Sequence, residues 1–300
     1  MASSDTVLIP ELGAAAVPRG RGRGRRVLSL VRKQPLGVFG LAVILVLAVA
    51  GLAAPWLAPY EVNDIGAGQP LEGMSWAHPF GTDSSGRDML SRVIYGARIS
   101  LAVGFLSVIG GTAIATAIGI FSGYVGGWVD NVIQRVADTL IAFPALIFLL
   151  ILVTVLGPSM RNVILVIGIG IIPGVSRVVR GAVLSEKQNQ YVEAARALGA
   201  STPRILFRHL LPNVAALAIV IMTTLLGTAI LAEASLSFLG LGIPPPNPSW
   251  GADVNAARNS FPIHIPWAFF PGAAISLTVL GFNFLGDALR DLFDPRLRGR

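Results

Sequence analysis

The 300-residue chain contains no cysteine, which excludes disulfide scaffolds, Cys-based zinc sites and thiol nucleophiles. Its histidines are only His78, His209 and His264, too few and too scattered for His-based metal chemistry, and no metal site is expected. Charge is scarce as well. Asp, Glu, Lys and Arg make up 13% of the chain, about half the soluble norm. A soluble globule of this size could not cover its surface with so few charges. What is abundant is apolar: 53% of residues, with a mean hydropathy of +0.70. The bilayer is the solvent this composition suits.

Six stretches carry no Asp, Glu, Lys or Arg: 34–60, 99–129, 139–160, 162–176, 209–232 and 265–286. A helix rising about 1.5 Å per residue crosses a hydrocarbon core of roughly 30 Å in about 20 residues. Five stretches are long enough. The fourth becomes so if it continues through Arg177 and Arg180, whose stems can snorkel to the headgroups. The expected fold is therefore an all-α membrane protein with six transmembrane helices. The first apolar stretch starts late and outruns a signal-peptide core, so no cleavable leader is expected.

With six spans both termini lie on one side. Of the 23 Lys and Arg, only Arg87, Arg92, Arg98, Arg161 and Arg258 fall on the other. This asymmetry predicts cytoplasmic termini and accounts for the net charge of +7 without nucleic acid as a partner. Residues 1–26 end in alternating Arg and Gly and have no apolar face. They read as a disordered basic cytoplasmic arm that sets topology and touches anionic membrane lipid. Residues 27–300 form the membrane domain.

Two segments lie on the opposite side. The first ends with Met89, Leu90, Val93, Ile94 and Ala97 at helical spacing, read as an amphipathic helix on the outer surface leading into the second span. Before it, Gly81 to Asp88 lacks the ligand spacing of a calcium loop and reads as a turn followed by a helix cap. The second contains Pro244-Pro245-Pro246 and Pro248, an extended run, with Trp250 and Trp267 as interfacial anchors.

The most informative stretch is the connector between spans four and five, about 183–213. Residues 191–198 favour a short helix, and Gly199 suits the left-handed residue that closes one. Ser201 or Thr202 can cap a second helix with Pro203 at its first position, and Pro212 is expected to break the chain before span five. A helix–glycine turn–helix of this length exceeds what antiparallel neighbours need, which favours a docking knob over a plain connector.

Glu193-Ala194-Ala195, then Gly199, Ile205 and Leu211-Pro212, resemble the docking loop of ABC-importer permeases. His78 to Asp83 with Gly86-Arg87-Asp88, Glu233 to Gly242 with Ser249-Trp250-Gly251, and Gly286 to Asp291 with Asp294-Pro295-Arg296 resemble the dipeptide, oligopeptide and nickel branch, C-type subunit. The resemblance implies a pore subunit, not an enzyme. Its partners would be a second, B-type permease, two ABC ATPase domains seated on the 183–213 loop, an external solute-binding protein and a peptide substrate. Nickel or another small solute is the alternative cargo. ATP and magnesium would sit on the ATPases. This chain has only Lys33 and Lys187 and no Gly-x-x-x-x-Gly-Lys loop, so it binds neither through such a motif.

An acid in a span is a functional candidate by default. Glu233 falls near the outer end of span five, where it reads either as a solvated boundary carboxylate or as a pore-mouth group; Ser235 and Ser237 are candidate path residues. Gly119, Ser122, Gly123, Gly126 and Gly127 are expected to permit close helix packing. An intramembrane serine hydrolase would need a full Gly-x-Ser-x-Gly frame and a histidine well inside a span to act as base, and neither is found. A channel or ion-coupled carrier would need paired charges inside the spans, which are nearly bare of them.

Overall fold

A computed structural model of the chain describes residues 34–260 and 264–293. The basic arm 1–26 and the Asp294-Pro295-Arg296 motif lie outside the described residues. The described residues form helices and no strand. In order these are α1 (Pro35–Leu52), α2 (Ala54–Leu57), α3 (Met89–Val125), α4 (Gly127–Ile141), α5 (Ala145–Leu156) and α6 (Met160–Glu186). Next come α7 (Gln190–Ala197), α8 (Thr202–Ile205), a π-helical turn (Leu206–Leu210), α9 (Leu211–Phe238), α10 (Trp250–Ala257) and α11 (Ile265–Phe293). Five helices are long and apolar enough to cross a membrane, and a bent pair, α4 with α5, makes a sixth crossing if taken as one span.

That pair corrects the expected straight third span. α4 and α5 meet at 94°, and α5 alone has 12 residues, about 18 Å of helix. The break sits at Phe143-Pro144. Proline has no N–H to continue the ladder and forces the residue before it out of the α region. α4 keeps Asp130, Gln134 and Asp138 for polar contacts. Arg180 pairs with Asp130 and Arg177 with Asp138, tying α4 to α6. The fourth span does run on through both arginines, as α6.

The α3–α6 seam is built on small residues. A methyl at Gly111 would lie 2.6 Å from the Gly168 carbonyl oxygen, and one at Gly119 would lie 2.6 Å from that of Ser176. Gly123 approaches the Arg180 carbonyl in the same way. Gly126 and Gly127 do not serve packing: a methyl at either would meet nothing within 4 Å, and both take positive φ at the α3–α4 turn. Ser122, buried between Gly119 and Gly123, also donates to Asp130.

The expected surface helix at 89–98 is not separate. It is the start of a single 37-residue α3. Its apolar face is covered by protein: Val93 and Ala97 pack with Trp250 and Ala274, and Met89 packs with Ala257 and Trp267. Trp250 and Trp267 are accordingly buried and are not interfacial anchors.

Candidate functional site: the connector, the Glu233 hub and the clefts around α9

The connector has one face in the core and one in the open. Val192, Ile205 and Leu210 are buried with Val175, Val179 and Val183 of α6 and Ala115 and Ile120 of α3. Three further ties fix it. Lys187 Nζ donates to the Gly123 carbonyl at 2.8 Å, Arg196 lies 5.2 Å over the Tyr124 ring, and the Tyr191 hydroxyl joins Glu186 to Asn213. Burial, with the Glu186 hydrogen bond behind it, pushes the Tyr191 phenol above its usual range. Gly199 closes α7 with φ of 78°, while the Ala200 N–H donates to the Ala195 carbonyl at 3.0 Å. Only glycine takes that conformation without strain.

Of the residues expected to dock, Glu193, Ala194, Gly199 and Pro212 are exposed, Ala195 and Leu211 are half-buried, and Ile205 is a buried anchor. Leu198 and Phe207, which the motif does not include, are 88% and 71% exposed and dominate the open face. Pro212 does not break the chain. It sits in the first turn of α9, and the π-helical turn at 206–210 absorbs its ring, so 202–238 runs as one rod.

At the other pole Glu233 is fully enclosed. Ser237 and Ser249 each donate to its Oε1 at 2.8 Å, and Ser100 donates to Oε2 at 2.9 Å. This corrects the solvated-carboxylate reading, and the carboxyl meets no open surface as a pore-mouth group would. It is a hub joining α3, α9 and the proline-rich loop. Ser237 belongs to the hub. Ser235 does not: it is half-buried, bonds the Leu231 carbonyl and borders a separate shallow cleft. Ser100 and Ser249 were not legible beforehand. Ser100 stands in an apolar run with no local signal, and Ser249 shows only the cap residue of α10.

Beside the hub, Arg92 donates to Asp253 Oδ1 from Nε at 2.9 Å and from a terminal nitrogen at 2.5 Å. Burial nevertheless pushes the Asp253 carboxyl above its usual range, with Arg92 pulling the other way, and Oδ2 has no partner. The Trp250 indole donates to the Val93 carbonyl at 2.9 Å. At the turn before α3, Asp83 accepts from the Arg87 and Ser85 amides, and Asp88 caps α3 by accepting from Ser91 N–H at 2.7 Å. This is the turn and cap expected there.

Two apolar clefts flank α9. One of about 780 Å³ lies among α5, α6 and α9, bordered by Phe148, Gly170, Gly174, Leu225 and Thr228. The other, about 560 Å³, lies between α3 and the first half of α9; there the Thr112 and Thr116 hydroxyls are buried without partners. Neither is lined by an ionisable side chain. Among the described residues no group of three His, Asp or Glu could hold a metal.

A bundle of membrane-length helices with an exposed connector has the architecture a membrane permease needs. Residues 115–299 match the family described as binding-protein-dependent transport system inner membrane component, and residues 23–72 match the N-terminal transmembrane domain of oligopeptide transport permease C. The chain belongs to this family, as a C-type permease of the dipeptide and oligopeptide group. It is 46% identical over 260 residues, 86% of each chain, to the glutathione transport system permease protein GsiD of Pectobacterium atrosepticum. It is 45% identical over 269 residues, 89% of each chain, to proteins of that name from Escherichia coli O6:K15:H31 and Shigella boydii. It is thus a multi-pass inner-membrane subunit of an ABC importer, in which separate subunits hydrolyse ATP.

Proposed function

We propose that this permease forms half of the pore through which short peptides, up to at least tripeptide size, enter the cell. The observation that carries the reading is the connector: an exposed Glu193-Ala194, Leu198 and Phe207 face backed by a buried inner face, continuous with a span. Two ATPase domains seat on this face and bind the ATP and magnesium, and a homologous B-type permease completes the pore. The connector pole and both termini are cytoplasmic, and the arm 1–26 lies on anionic lipid. The opposite pole, with the Glu233 hub and the loop 58–88, faces the external binding protein. ATP drives transport because it is bound more tightly in one of the two access states. The relatives are named for transport of glutathione, a tripeptide, which supports the peptide class.

The test is ATP-dependent uptake in proteoliposomes of labelled glutathione, a dipeptide and nickel, by the complex purified through this chain. Uptake of a peptide is expected with the intact connector, and loss of both uptake and co-purifying ATPase in Glu193→Arg/Gly199→Pro. Unchanged uptake in that variant refutes the docking face. Uptake of nickel alone refutes the substrate.

A further inference from the structure

We propose that the turn Ser75–His78, with Trp76 at its tip, is the anchor by which this permease grips its external binding protein. This rests on the assignment of that pole to the outside. Trp76 is fully exposed, at 103%, and Met74 two residues earlier is 62% exposed. Trp250 and Trp267 at the same pole are buried, so the core is complete without this indole. A bare indole in water is what a partner's pocket would cover.

The turn holding it is fixed in advance. The Ser75 N–H donates to the His78 carbonyl at 2.9 Å, the His78 N–H donates to Ser75 Oγ at 3.0 Å, and the Gly81 N–H donates to the same carbonyl at 2.9 Å. The buried His78 ring bonds Asp88, the cap of α3, at 3.0 Å and stacks on Tyr60 at 4.9 Å. A side chain presented from such a turn loses little backbone entropy on binding.

Position decides between bilayer and protein. Gly51, at the end of α1, packs on Arg98, and the charge-free part of α3 starts at Ile99, so the outer hydrocarbon edge lies near Arg98. α3 continues beyond this level to Met89, nine residues further, about 13 Å of helix. The headgroup layer on one side is only about 5–8 Å deep. The Ser75–His78 turn is tied to that protruding end through His78 and Asp88. Trp56 makes the contrast: it is 84% exposed and lies in α2, directly after α1 and close to that edge.

Charge narrows the partner further. Glu61 and Asp64 on this loop are exposed and Glu72 is half-buried, while Asp83 is already paired with Arg87. The complement is a soluble protein with an apolar pocket for the indole and Lys or Arg at its rim. The family's description as binding-protein-dependent supplies a partner of this kind.

The experiment uses the whole complex in nanodiscs and the binding protein that supports its ATPase stimulation. Trp76→Ala is expected to weaken the measured Kd by tenfold or more, as truncation of an aromatic hot spot does. Trp76→Phe should lose less, and Trp56→Ala should leave Kd unchanged. Trp76→Ala should melt as the parent does, since the side chain touches nothing. A photo-crosslinking phenylalanine at position 76 should capture the binding protein. An unchanged Kd, or capture of the second permease or of lipid instead, overturns the proposal. If stimulation accompanies nickel and not peptide, the substrate reading fails, and the Kd ratio still decides the anchor.

Discussion

Glu233 is enclosed by hydroxyls from three elements, so its replacement separates hydrogen bonding from mere volume. Each of the three bonds contributes about 0.5–1.5 kcal/mol net. Glu233→Ala removes them all and leaves three buried hydroxyls to be satisfied elsewhere. Ser100 and Ser237 lie in helices and can turn onto the carbonyl four residues back. Ser249 precedes α10 and has no helical carbonyl behind it. The expected loss is about 3 kcal/mol. Glu233→Gln keeps one oxygen for Ser237 and Ser249, and its amide donates to Ser100 Oγ, so the loss should stay within about 1 kcal/mol. Chemical denaturation in mixed micelles, followed by tryptophan emission, reads this directly because buried Trp250 adjoins Ser249. The hub reading is refuted if Gln costs as much as Ala, which would mean the ionised carboxylate is what the site needs. A neutral Ala variant would refute it equally.

Other substitutions follow from the same geometry. Gly111→Ala drives a methyl against the Gly168 carbonyl and should destabilise by about 1–3 kcal/mol. Gly110→Ala meets nothing within 4 Å and should be neutral or slightly stabilising; opposite shifts in melting midpoint check the pair. Asp253→Ala leaves Arg92 buried and uncompensated and should cost about 3–5 kcal/mol, while Arg92→Met with Asp253→Leu should recover most of it. Gly199→Ala meets no side chain, so only its left-handed backbone is strained. A loss of about 1–2 kcal/mol is expected, with Gly199→Asn milder, both read as retention of ATPase on purification.

Local chemistry was legible in the chain and tertiary chemistry was not. The glycine that closes α7 and the aspartate that caps α3 act on neighbours within a few residues, so their roles follow from spacing alone. Pro212 was misjudged because a proline ending a helix and one in the first turn of the next look the same in sequence; the π-helical turn before it decides. The bend at Pro144 was marked by its proline, yet hydropathy counts apolar residues regardless of direction. The Glu233 hub draws on Ser100, 133 residues away, and Arg92 meets Asp253 across 161 residues. No periodicity connects positions so distant. Trp250 was assigned to the bilayer boundary from its residue type, whereas α10 folds it onto Gly96.

The distribution of tight and loose packing also ranks the motions of the bundle. α3 and α6 touch backbone to backbone along Gly111, Gly119 and Gly123, so sliding them apart would forfeit many close contacts at once. α9 is different: one apolar cleft runs between its second half and α5–α6, another between its first half and α3, and that first half is continuous with the connector through the π-helical turn. A push on the connector should therefore move this half of α9 against an α3–α6 pair that stays fixed. The absence of cysteine makes the test direct, since paired cysteines can be introduced into the native sequence. Spin labels at Ile114 on α3 and Ile219 on α9, both exposed, should change separation when the complex is trapped with a non-hydrolysable ATP analogue. Labels at Ile114 and Leu165 on α6 should keep theirs. Equal changes in both pairs would mean that the bundle moves as one body and that the clefts around α9 do not set the hinge.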